Sequence, residues 1–187
     1  MKPRGQFVTD KILDTAERLF YTQGYNSTGI NQVIEEAAIA KASLYKHFES
    51  KTDLMVAYLE RFHQRWFERL EQHVSKVSDP KKKLLAVLDY HQERQQIREY
   101  GGCPFIKAND EAGTSDTRIL AEIQKAKERV KQFIGKLVAV SGHKNILTDK
   151  ELAATIFLMT EGGVVSASVF KNDNDLQTAK KVLQKLI

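Results

Sequence analysis

Apolar residues recur along this chain at helical spacing, and no convincing stretch alternates apolar and polar at period two. The pattern predicts an all-α protein of about nine helices. Ile12, Leu13, Ala16, Leu19 and Phe20 form one helical stripe. They place a first helix over about residues 7–23, with Thr9 able to cap its start and Gly24 its end. After a short turn, a second helix covers about residues 29–37, capped by Thr28, and a third about residues 41–47. Ser50 opens a long fourth helix reaching about Val77, with Asp53 at the acid position of a capping box.

Asp79-Pro80 restarts the chain as a fifth helix to about Tyr100, proline suiting the first helical position. Gly101-Gly102 interrupts it. Pro104 opens a short sixth helix that fades at Gly113, and a seventh runs from Ser115 to about Ser141-Gly142. Thr148 and Glu151 have capping-box spacing for an eighth helix ending near Lys171. A ninth, over about residues 175–186, carries the stripe Leu176, Ala179, Val182, Leu183, Leu186. Three short helices precede Ser50 and mostly longer ones follow. A functional division is therefore expected between residues 1–50 and residues 51–187.

The 187 residues are 42% apolar, enough for a real core. No uninterrupted apolar run approaches the roughly 18 residues that span a bilayer, so no membrane partner is expected. The first residues have no apolar signal core, and the single Cys103 cannot form an internal disulfide. Both point to a reducing cytoplasm. The net charge of +5 mildly favours polyanions. Within residues 1–51, though, Lys2, Arg4, Lys11, Arg18, Lys41, Lys46 and Lys51 nearly balance Asp10, Asp14, Glu17, Glu35, Glu36 and Glu49. Position, not overall charge, must therefore carry any argument for nucleic acid.

The second and third helices carry the informative positions. A connection of about three residues forces the sharp corner of a helix-turn-helix. The third helix gathers Lys41, Ala42, Ser43, Tyr45, Lys46 and His47. A major groove admits one helix, whose first residues meet base edges. Small Ala42 and Ser43 permit close approach, and lysines supply donors. Thr28, Tyr45 and Lys51 are candidates for phosphate contacts that fix register. Spacing alone equally allows any three-helix unit with a solvated lysine face.

Gly24-Tyr25, Thr28-Gly29-Ile30, the run from Ala37 to Phe48 and Ser50-Lys51-Thr52-Asp53-Leu54 together resemble the TetR family of bacterial regulators. The stretch Leu44 to Lys51 is especially characteristic. The resemblance spans about residues 9–54 and departs from the family where Ala38 and Ala42 stand in place of frequent glycines. It implies a homodimer on a near-palindromic double-stranded DNA operator, and repression relieved by a small-molecule effector. It also implies dimerisation through residues 148–171 and 175–186. There Gly162-Gly163, with Ser166 and Ala167, would either admit a partner helix or relieve crowding inside one chain.

The family's effector cavity lies among helices 4 to 8. Leu54, Tyr58, Phe62, Trp66 and Leu70 repeat every four residues, a stripe that suits core as well as cavity. Candidate ligand contacts are Phe62, Trp66, Tyr90, His91, Cys103, Phe105 and Met159, with Ile106 and Phe133 nearby. His91, Arg94, Asn109 and Glu161 are candidates for orienting a polar group. Cys103 precedes Pro104, and Lys107 or Arg98 could supply a positive charge. An alternative regulator would sense oxidants or electrophiles through this thiol, whereas a buried cysteine is simply a small apolar residue. A cysteine-dependent enzyme would need one of His47, His63, His73, His91 or His143, but no nucleophile motif surrounds Cys103. No catalytic residues, metal site or cofactor are expected.

Overall fold

The computed structural model describes residues 4–112, 116–144 and 147–187. Among them every regular element is an α-helix: α1 (Arg4–Thr22), α2 (Ile30–Glu36), α3 (Lys41–His47), α4 (Lys51–Ser75), α5 (Pro80–Ile97), α6 (Pro104–Ala112), α7 (Thr117–Ala139), α8 (Asp149–Phe170) and α9 (Asn174–Leu186). The expected fading of the sixth helix at Gly113 and the start of the seventh at Ser115 lie outside the described residues.

Side-chain caps mark the starts of α4, α5 and α8. The Asp79 carboxylate accepts from the Lys82 amide, with Pro80 in the first turn of α5. Thr148 and Glu151 make both hydrogen bonds of the capping box on α8. At α4 the Asp53 amide donates to the Ser50 hydroxyl, which donates on to the Asp53 carboxylate. Two expected caps fail. Thr9 lies inside α1, where its hydroxyl donates to the Gly5 carbonyl. Thr28 does not cap α2: Gly29 holds the cap position, while the Thr28 hydroxyl donates back to the Gly24 carbonyl at 2.7 Å. In each case the hydroxyl bonds back to a carbonyl four residues upstream instead of capping the turn that follows.

The chain forms two compact units. The first contains Met1–Arg65 and Pro104–Lys125. The whole α1 stripe is buried there, joined by Val33, Ala37, Leu44, Phe48, Leu54, Met55, Tyr58 and Leu59. The Phe20 ring meets Tyr25 and Tyr58 with centroids 5.5 and 5.9 Å apart. Arg61, its side chain only 13% exposed, places Nη2 2.8 Å from the Asp14 carboxylate and donates from Nη1 to the Asp10 carbonyl. This pairing fastens α4 to α1.

The second unit contains Trp66–Cys103 and Ala126–Ile187. Its core is built by Phe67, Leu70, Leu84, Val87, Leu88, Ile134, Val138, Leu152, Ile156 and Leu183. A β-carbon added at Gly163 would meet Leu176 Cδ2 at 2.5 Å, so this glycine lets α9 close onto α8 within the chain. At Gly162 the same addition meets nothing within 4 Å. The pair is thus split, with Gly163 consumed internally and Gly162 open. Ala167 is also buried, and Ser166 donates to Asp175.

Averaged over 18 residues, α8 reaches a mean hydropathy of 1.5, long and apolar enough by composition to cross a bilayer. Within the unit it is apolar on two sides. Leu152, Ile156, Thr160, Val164 and Ala167 face the core, while Leu158, Val165 and Val169 face outward.

Candidate nucleic-acid interface

Four residues, Ala37 to Ala40, join α2 to α3. Ala38 takes φ 46°, a left-handed conformation that the missing glycine would have supplied without strain. The cost for alanine is about 1 kcal/mol. The corner holds because both helices are anchored below it. Val33 and Ala37 fix α2, and Leu44 and Phe48 fix α3, all in the core. Complete burial of a leucine such as Leu44 contributes about 2 kcal/mol.

With Leu44 pointing inward, helical geometry turns the flanking positions out. Lys41, Ala42, Tyr45 and Lys46 are exposed, Tyr45 by 41%. Ser43 and His47 are half-buried. The His47 Nδ1 lies 3.1 Å from the Thr9 hydroxyl, so the last turn of α3 is tied to α1. Lys51 is half-buried with its ammonium 4.3 Å from the centre of the Tyr25 ring. Burial lowers its pKa, opposed by the Glu111 carboxylate. The Tyr25 hydroxyl lies 3.3 Å from that of Thr52. Thr28 stands apart from the expected contacts. Its side chain is fully buried, and its hydroxyl is committed to Gly24, which leaves it no route to a phosphate.

The result is a convex ridge, small at Ala42 and Ser43, cationic at Lys41 and Lys46, with a phenol between them. Such a ridge matches what a major groove accepts.

The candidate effector residues fall into two sets. In the first unit Phe62 and Phe105 pack edge to face at 5.6 Å and are buried. In the second, the Trp66 ring meets Tyr90 at 5.4 Å and His91 at 5.1 Å, and the Tyr90 hydroxyl donates to the Trp66 carbonyl. Burial raises the Tyr90 pKa to about 12. His91 Nε2 is buried without a hydrogen-bond partner. Burial, helped by the charge of Lys127, lowers the His91 pKa to about 3. Met159 and Cys103 are half-buried. An open groove of about 610 Å³ between α7 and α8 is lined by Gly135, Ala139, Ala153, Ala154 and Phe157 among others, and by none of these candidates.

Beside Cys103 the structure places Lys127, a cation that the sequence reading did not name. Lys127 Nζ lies 3.6 Å from Cys103 Sγ and donates to both Glu161 oxygens at 2.6 and 2.7 Å. Burial works against this ammonium, but Cys103 and Glu161 outweigh it and its pKa is raised. Lys107 instead donates to the Tyr21 carbonyl. Cys103 and Lys127 stand 24 positions apart, with no local spacing from which to foresee their pairing. Asn109 is exposed, and Arg94 is half-buried.

A helix-turn-helix with an outward third helix, followed by further helices, is an arrangement found in DNA-binding transcriptional regulators. Residues 12–58 match the family model for bacterial regulatory proteins of the tetR family. It is 26% identical over 175 residues to an uncharacterised helix-turn-helix transcriptional regulator encoded in the lacX 3′ region of Lactococcus lactis, spanning 90% of this chain and 87% of the relative. Its fold is that of the reduced form of E. coli NemR, with a TM-score of 0.83 at 20% identity, over 96% of this chain and 97% of the other. A regulator from Saccharomonospora viridis, solved with choline, shares the fold with a TM-score of 0.81 at 20% identity, over 96% and 95% of the two chains.

Proposed function

We propose that this regulator is a cytoplasmic, homodimeric repressor that reads a near-palindromic operator through α3 and releases it when a small molecule binds. Residues 1–50 are assigned to DNA and residues 51–187 to effector and partner. The observation that carries the reading is the anchoring of α3 by Leu44 and Phe48, which leaves Lys41, Ala42, Tyr45 and Lys46 in solvent. Lys41, Ala42 and Ser43 approach base edges, and Tyr45, Lys46 and Lys51 approach phosphates. His47 steadies the helix through Thr9. The choline complex of a protein with this fold supports a small-molecule effector. Candidates to meet it are Phe62, Trp66, Tyr90, His91, Cys103, Phe105 and Met159.

The second copy docks on α8 and α9. Leu158, Gly162, Val165 and Val169 recur at helical spacing on one outward stripe of α8. Phe170 and Val182 add further exposed apolar surface.

The test is selection of genomic fragments by the purified protein, followed by gel shift with Lys46→Ala. A specific site is expected. Loss of one phosphate contact should weaken specific and random DNA alike and flatten the salt slope by about one. Failure to enrich any sequence would overturn the repressor reading. A change confined to one base position would reassign Lys46 to base reading.

A second reading rests on Lys127 beside Cys103. An ammonium 3.6 Å from the sulfur is the electropositive setting of reactive cysteines, and release would then be triggered by an oxidant or electrophile. Cys103→Ser should keep operator affinity and lose release by hydrogen peroxide or a maleimide. Undiminished release in that variant eliminates the thiol trigger.

A further inference from the structure

The first compact unit contains a helix that the sequence assigns to the other half of the protein. Residues 104–125, with all of α6, pack with Met1–Arg65. Two side chains one turn apart on α6 make the connection to the DNA-reading helices. Lys107 donates to the Tyr21 carbonyl at 3.0 Å and lies 4.4 Å from the centre of the Tyr21 ring. Tyr21 sits in the last turn of α1, where carbonyls have no partner within the helix. Glu111, four residues on, accepts the Asn26 amide at 2.7 Å, and its own carbonyl accepts from the Asn26 side chain at 3.1 Å.

Between these contacts the corner at Gly24 has φ 91°, and a β-carbon there would lie 2.5 Å from the Glu111 carboxylate. A side chain at this position would have to push the Glu111 carboxylate aside, and the left-handed φ itself favours glycine. The same carboxylate faces Lys51, whose ammonium covers Tyr25. Phe20, Tyr25, Met55, Tyr58 and Glu111 line only a small pocket of about 10 Å³ beside the corner.

From these contacts we infer that Glu111 is a positioning residue for operator reading. It clamps the α1–α2 corner, and through that corner sets the angle at which α2 and α3 meet DNA. The inference rests on the DNA-binding reading above. It makes α6 the element whose displacement would be felt directly at the reading head.

Electrostatics and positioning predict opposite signs for one substitution, which makes the test sharp. Glu111→Ala removes a negative charge from the DNA-binding unit. As a bystander carboxylate, its loss would leave DNA affinity unchanged or raise it. As a clamp, its loss should weaken the selected operator about tenfold while leaving random DNA unweakened. Amide exchange over residues 24–28 should rise about tenfold in the same variant without DNA, with exchange in α8 and α9 unchanged. Glu111→Gln keeps an acceptor for the Asn26 amide and should restore most of both properties.

Unchanged exchange at residues 24–28 in Glu111→Ala, or unweakened operator affinity, overturns the clamp. Equal weakening on operator and random DNA overturns it too, since that marks a general loss. If the wild type selects no operator, the repressor reading falls by itself, and exchange at residues 24–28 still decides whether Glu111 holds the corner.

Discussion

His91 is a histidine held uncharged. Its pKa falls to about 3, first through burial and then through the Lys127 charge. A base depressed in the folded state stabilises the protein fully above its unfolded pKa, near 6.5, and loses that contribution as pH falls toward 3. Between pH 7 and pH 5 the loss from this one group should approach about 2 kcal/mol. Denaturant unfolding of the wild type and His91→Phe at both pH values checks this. The wild type should lose more stability on acidification than the variant, and equal losses would show that His91 is not held neutral. The sequence marked His91 as a candidate for orienting a ligand. Its burial against Trp66 was not legible, because a ring contact between α4 and α5 leaves no mark in local spacing.

Elements were the most legible level, and the reason is physical. Caps and helical stripes act within one or two turns, so the residues that set them are neighbours in the chain. Lys41–His47 coincides with the predicted third helix, and the capping box of α8 formed as its spacing required. Errors arose where a residue had two local options. Thr28 and Thr9 could each cap a following turn, yet each bonds a carbonyl four residues upstream. Likewise, Gly162 and Gly163 are identical in sequence terms. Which of them faces Leu176 depends on the rotation of α8, and that is set by the whole core of its unit. Of the ridge on α3, the exposed positions followed from Leu44 alone. The supports behind it, His47 on Thr9 and Glu111 on Asn26, join residues 38 and 85 apart.

For the molecule as a whole, the open stripe on α8 carries the assembly prediction. Val169→Asp, at a position 66% exposed, should leave the monomer folded and turn a dimer into a monomer in analytical ultracentrifugation. Operator affinity should fall with it, because two half-sites can no longer be held by one particle. A Val169→Asp protein that remains dimeric would move the partner surface away from α8. The composition of the first unit has a separate consequence for exchanging parts between such regulators. Because Pro104–Lys125 returns to pack with Met1–Arg65, a graft spliced at residue 50 carries the reading helices but leaves behind α6 and the start of α4, which belong to the same unit. A hybrid meant to keep its native specificity needs three splice points instead of one. If Glu111 holds the corner as inferred, recombination among these genes would pass such hybrids only when the borrowed sixth helix offers a hydrogen-bond acceptor at the place of Glu111.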